Sequence, residues 1–117
     1  RILHAGRLRL KESDRLAATR QALYDIGADI EEDGDGLVIR GGTFSRRDGR
    51  EGRLSGGTAD SCADHRIAMT LAVAALSTEH GVLLHRAEAV RKSYPTFFQD
   101  FQRLGGVVDE LALGTQP

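Results

Sequence analysis

The chain has 117 residues, 40% of them hydrophobic and 28% charged, which is the size and balance of one ordinary globular domain. Sixteen Lys and Arg against seventeen Asp and Glu give a formal charge of −1, which excludes an overall electrostatic pull toward nucleic acid or membrane and leaves anion binding to local clusters. A single cysteine, Cys62, excludes an intrachain disulfide and suits a reducing cytoplasm, while the longest apolar stretch, residues 67–76, is too short to span a bilayer.

Residues 1–10 read as extended structure broken at Gly6; the chain opens on Arg1 rather than methionine and runs at once into strand-like sequence, as a piece of a longer protein would. Ser13 is a good N-cap for a helix running to about Ile26, with Asp14 complementing the dipole. Leu16, Ala17, Arg20, Leu23 and Ile26 would form its inward stripe, and Gly27 its left-handed stop. Residues 28–32 and 37–40 flank Asp33-Gly34-Asp35-Gly36, a strong hairpin signal. Residues 41–61, rich in Gly, Ser, Asp and Arg, read as a long exposed connection with a brief strand contact at Leu54.

A second helix is predicted from Asp64. After His65 and Arg66 it is almost wholly apolar, so it is expected to be buried on every side and to run through the middle of the domain. Gly81 ends that passage and residues 82–85 read as a strand. A third helix starts near Pro95, turns Phe97, Phe98, Phe101 and Leu104 inward and closes at Gly105-Gly106; Val107-Val108 would add a last strand. The expected fold class is α/β or α+β, with helices packed on a mixed sheet in a single domain over residues 1–117.

Three cations, Arg15, Arg66 and Lys92, fall at predicted helix entrances, where exposed backbone N–H groups favour an anion. They belong to Lys11-Glu12-Ser13-Asp14-Arg15, Asp64-His65-Arg66 and Lys92-Ser93-Tyr94-Pro95. Lys11 and Arg15 are four apart at a helix end whose dipole disfavours cations, an arrangement that costs stability unless an anion is bound. If the fold gathers the three entrances, they form one site for a phosphorylated or carboxylated ligand, with Glu12 and His65 available for proton transfer. His4, His80 and His85 share no metal-ligand spacing, Gly56-Gly57 lacks a Walker pattern, and Cys62 is one thiol without a fixed His partner. No metal or cofactor is implied.

The three motifs, in this order and joined by Gly27-Ala28, a hairpin and a Phe-rich helix, make the chain resemble the C-terminal part of the 5-enolpyruvylshikimate-3-phosphate synthases. That resemblance implies an enolpyruvyl transferase fold built of βαβαββ repeats, of which this chain would be a partial C-terminal portion of two domains. It implies transfer of the enolpyruvyl group of phosphoenolpyruvate to the 5-hydroxyl of shikimate 3-phosphate, in the cytoplasm, without nucleic acid or membrane as partner. By the same resemblance Arg15, Arg66 and Lys92 would hold phosphoenolpyruvate, Lys11 would contact the shikimate side, and Glu12, His65 and Lys92 would move protons. The first domain and a catalytic aspartate would lie upstream of Arg1, and the isolated chain would be inactive. Where the family supplies an asparagine to the shikimate side, this chain carries Arg7. The competing expectation is a standalone, non-catalytic anion-binding or interaction module. Glu12 argues against it, because a pure phosphate binder gains nothing from a carboxylate beside its ligand.

Overall fold

The computed structural model describes residues 1–11, 13–40 and 54–109. Helix α1, Arg15–Asp25, is capped by Asp14, whose side chain accepts a hydrogen bond from Ala17 N; Ser13, the expected cap, instead donates its hydroxyl across to Asp64. Two short polar residues in succession mark where a helix starts, and a partner 51 residues away decides which of them caps it. Of the expected stripe, Leu16 and Ile26 are buried and Leu23 packs against the core, while Ala18 and Ala22 take the buried places expected of Ala17 and Arg20. Ala17 and Arg20 are half-buried, and the Arg20 guanidinium stacks over the Tyr24 ring.

This helix is covered on two sides, which shifts its stripe. Leu16 packs against Ile30 and Leu37, while Ala18, Ala22 and Ile26 pack against Ala59, Ile67 and Leu71. The second contact relies on small side chains that admit another helix closely. Gly27, at φ 109°, turns the chain out of α1 in a left-handed conformation that a Cβ would strain.

Strands β1, Asp29–Asp33, and β2, Gly36–Arg40, form the expected hairpin in register Asp33↔Gly36, closed by the two-residue turn Gly34-Asp35. Only Ile2 of the first ten residues joins a strand, bridging to Leu37; Gly6–Leu10 coils into a 3-10 helix where extended chain was expected. Strand β3, Gly57–Asp60, was unexpected. It buries only Ala59 and lacks a β-branched run, so its conformation follows from parallel pairing with β4, Val82–His85, rather than from its own propensity. Leu54 makes the anticipated brief contact, a bridge to Thr78. The rest of the expected connection, residues 41–53, lies outside the described residues.

Helix α2, His65–Ala75, begins at Asp64 as predicted, yet it is not buried on every side. Ile67, Ala68, Leu71 and Ala72 are buried, but Val73 is 57% exposed and Leu76, just past the helix, 64%. Its partners, α1, β4 and a second 3-10 helix over Ala87–Lys92, contact one side of it. That 3-10 helix was not anticipated. It buries Ala89 and Val90 against Ala68, with Phe97 and Phe98 packed alongside.

Helix α3, Phe97–Arg103, keeps Phe97, Phe98 and Phe101 half-buried, whereas Leu104 lies beyond the helix end, 90% exposed, and Val107-Val108 form no strand. The described strands make two small sheets, one antiparallel and one parallel, with helices packed on them, an α/β arrangement.

Candidate anion site

Asp64 is the centre of the site. A carboxylate with no solvent exposure needs partners, and it has four donors. Its own helix supplies Arg66 N at 2.9 Å, while Ser13 Oγ donates at 2.7 Å and Arg15 donates through Nε at 2.8 Å and Nη2 at 3.2 Å. Burial opposes the charged form, and the bonds from Arg15, Ser13 and Arg66 N outweigh it, pulling the carboxyl down to about 2. The forked contact ties the entrance of α1 to the entrance of α2. Arg15, with its side chain 12% exposed, is therefore held by protein through two of its nitrogens.

The third segment arrives through a backbone contact. Lys92 Nζ donates to Ala63 O at 2.5 Å, one residue before Asp64. Lys92 does not stand at a helix entrance, as the sequence suggested; it is the last residue of the 3-10 helix Ala87–Lys92, and α3 starts only at Phe97. The Pro95 signal misplaced it, because the chain coils once before the proline.

The turn that receives Lys92 is built from strain and hydrogen bonds. Cys62 and Ala63 both adopt left-handed conformations, at φ 56° and 57°, which side chains with a Cβ visit at a cost. Fully buried Ser61 holds them: its Oγ accepts from Ala63 N at 3.1 Å and donates to Arg86 O at 2.9 Å. Asp60 Oδ1 accepts from Cys62 N, and the same carboxylate takes a forked contact from Arg86, which pulls its pKa below the ordinary aspartate range. The turn thus faces α2 and the Lys92 segment at once.

His65 is the first residue of α2, half-buried, and Arg66 follows it exposed; Lys11 is exposed one turn before α1. Glu12 lies outside the described residues. Among the described residues no three His, Cys, Asp or Glu side chains gather as a metal site. Sequence reasoning treated Asp64 only as a cap and passed over Ser61, Asp60, Arg86 and Arg9. Apart from Asp14 for Arg9 and the backbone N–H groups at the starts of the turn and of α2, their partners lie 23 residues or more away, so local spacing carries no trace of most of these contacts.

Arg15 from the start of α1 and Lys92 from the end of the second 3-10 helix thus both reach the segment that opens α2, on a small α/β scaffold. Residues 1–101 match the family model for EPSP synthase (3-phosphoshikimate 1-carboxyvinyltransferase), and the chain belongs to that family. Among its relatives, 3-phosphoshikimate 1-carboxyvinyltransferase of Clostridium novyi is 45% identical over 114 residues, 97% of this chain and 24% of the relative. The protein of that name from Clostridioides difficile is 46% identical over the same length and shares. A solved EPSP synthase from Acinetobacter baumannii superimposes with a TM-score of 0.75 at 32% identity, covering 90% of this chain and 23% of that one. The chain spans about a quarter of the length of the relatives it matches.

Proposed function

We propose that this chain supplies one side of the active site of a 3-phosphoshikimate 1-carboxyvinyltransferase, which moves the enolpyruvyl group of phosphoenolpyruvate to the 5-hydroxyl of shikimate 3-phosphate. The observation that carries this reading is the Arg15–Asp64 fork, which joins the first two motif segments at a buried point, with Lys92 bonded next to it at Ala63.

In this reading Arg66 and Lys92 face the phosphate and carboxylate of phosphoenolpyruvate. Arg15, fixed by Asp64, adds positive potential and a rigid wall, and Lys11 reaches toward the shikimate side. The 5-hydroxyl gives up its proton and bonds to the phosphate-bearing carbon of the enol phosphate while a proton adds to the methylene carbon and the carbon–carbon π bond breaks; the carbon–oxygen bond to phosphate then breaks as a proton leaves the methyl carbon and the π bond re-forms. Fixed cations stabilise the charge of that tetrahedral intermediate. Glu12, His65 and Lys92 are the groups able to carry the protons. The remaining three quarters of a family member's length would close the other side of the cleft, and the reaction would take place in the cytoplasm.

The test is a graft. This chain replaces the matching segment of the Clostridium novyi relative, and phosphate release is measured with both substrates. Turnover that Arg66→Ala depresses supports the reading. A folded, soluble chimera, judged by circular dichroism, that binds phosphoenolpyruvate without turning over would instead favour the non-catalytic module.

A further inference from the structure

We propose that Arg9 is a positioning residue for the anion site: its guanidinium fixes the start of α1, at Ser13, Asp14 and Arg15, against the β1–β2 hairpin and does not itself take ligand. Read along the chain, Arg7-Leu8-Arg9-Leu10-Lys11 offers three cations of equal standing. In the fold they differ. Arg9 Nε donates to Asp35 Oδ1 at 3.2 Å, Nη1 to Asp14 Oδ2 at 2.9 Å, and Nη2 to both Glu32 Oε1 at 2.8 Å and Gly34 O at 2.9 Å. Every nitrogen of the guanidinium is engaged, and four of its five N–H groups are committed to protein acceptors. Turning toward a ligand would break several charge-assisted bonds at once.

The geometry at Asp14 turns this clamp into a positioning device. One oxygen of Asp14 accepts from Ala17 N and so caps α1, while the other accepts from Arg9. The Arg9–Asp14 contact holds the residue next to Ser13, whose hydroxyl reaches Asp64. The same guanidinium anchors this helix start to Glu32 at the end of β1 and to the Gly34-Asp35 turn. It also balances three carboxylates, Asp14, Glu32 and Asp35, whose unopposed field would repel an anion at the neighbouring helix start. A lysine would retain the charge but could not fork to four acceptors.

The inference rests on the reading of residues 11–15 as part of the anion site, so its test has one arm without ligand. In the 15N-labelled 117-residue chain, amide exchange at Ala17 in α1 is compared with Ala68 in α2 for wild type, Arg9→Lys and Arg9→Gln. Loss of the clamp should speed exchange at Ala17 by about fivefold, the effect of a weakened cap, and leave Ala68 unchanged. In the second arm phosphoenolpyruvate is titrated at a temperature where each variant is fully folded, a condition under which a merely stabilising residue would leave Kd unmoved. Both variants should bind about fivefold more weakly, with Arg9→Lys failing to rescue. Glu32→Ala, an exposed strand change that removes one acceptor, should move both readouts in the same direction should either Arg9 variant fail to fold. Unchanged exchange at Ala17, or unchanged Kd in Arg9→Lys, overturns the proposal. Absence of any response in the wild-type chain counts against the anion-site reading instead, and exchange at Ala17 still decides whether Arg9 sets the segment.

Discussion

Asp64→Asn removes one charge from the point where the motif segments meet and keeps nearly everything else. Asparagine caps helices well and its Oδ1 can still accept from Arg66 N, but an NH2 then replaces the oxygen that accepts from Ser13 Oγ and Arg15 Nε, so the loss covers the ion pair with Arg15 and the Ser13 bond. Two routes give its size. The carboxyl lies about two pH units below its ordinary value, and at about 1.4 kcal/mol per unit that is about 2 to 3 kcal/mol at neutral pH. Removing one partner of a buried ion pair costs up to roughly 3 kcal/mol, and this pair is largely buried, with the Asp64 side chain unexposed and that of Arg15 12% exposed. For a chain of this length the corresponding fall in Tm is roughly 10 °C, read by circular dichroism at pH 7. The sign of the pH dependence follows. A carboxyl whose folded pKa is depressed contributes its full stability above the unfolded value near 4 and loses it as pH falls toward about 2. The gap between wild type and Asp64→Asn should therefore close across that window. Melting within about 2 °C of wild type at pH 7, or a gap as wide at pH 2 as at pH 7, would refute the assignment of Asp64 as the charged linchpin of the site.

Ala63→Gly should raise stability by roughly 0.5 to 1 kcal/mol in urea unfolding, because glycine relieves the left-handed backbone at φ 57° while Lys92 keeps its bond to the main-chain oxygen. Arg66→Ala, at an exposed position, should leave Tm unchanged and weaken phosphoenolpyruvate binding by roughly 1.5 to 3 kcal/mol in calorimetry. In a protein carrying this segment with the rest of a family member's length, Glu12→Gln should lower kcat far more than it raises KM; a variant with kcat intact removes Glu12 from the proton path. The 117-residue chain alone should release no phosphate above background from the two substrates, since half the cleft is missing.

The elements that could be read from sequence are those whose signals are local. Asp64 before an apolar run, Gly27 and Gly81 after one, and Gly34-Asp35 between alternating residues each act over a few positions, and the α2 start, the α1 stop, the hairpin and β4 follow them. The failures share the opposite cause. Strand β3 exists because β4 lies beside it, Ser13 gives up capping because Asp64 lies opposite, and Val73 stays exposed because α2 has its described neighbours on one side. The site divides along the same line. Cations at helix starts can be seen along the chain, whereas Arg15 spending its fork on Asp64, 49 residues on, and Arg9 spending its own on the hairpin become visible only once the chain has folded.

That the three segments make one site is tested most directly by titrating phosphoenolpyruvate into the 15N-labelled chain. Two or three charge-assisted contacts correspond to a Kd of about 1 mM. Amide shifts at Ser13, Arg15, His65, Arg66 and Lys92 should then saturate together on one isotherm, and Arg66→Ala should weaken all of them at once. Shifts confined to one segment, or separate isotherms for α1, α2 and Lys92, would contradict a single shared site.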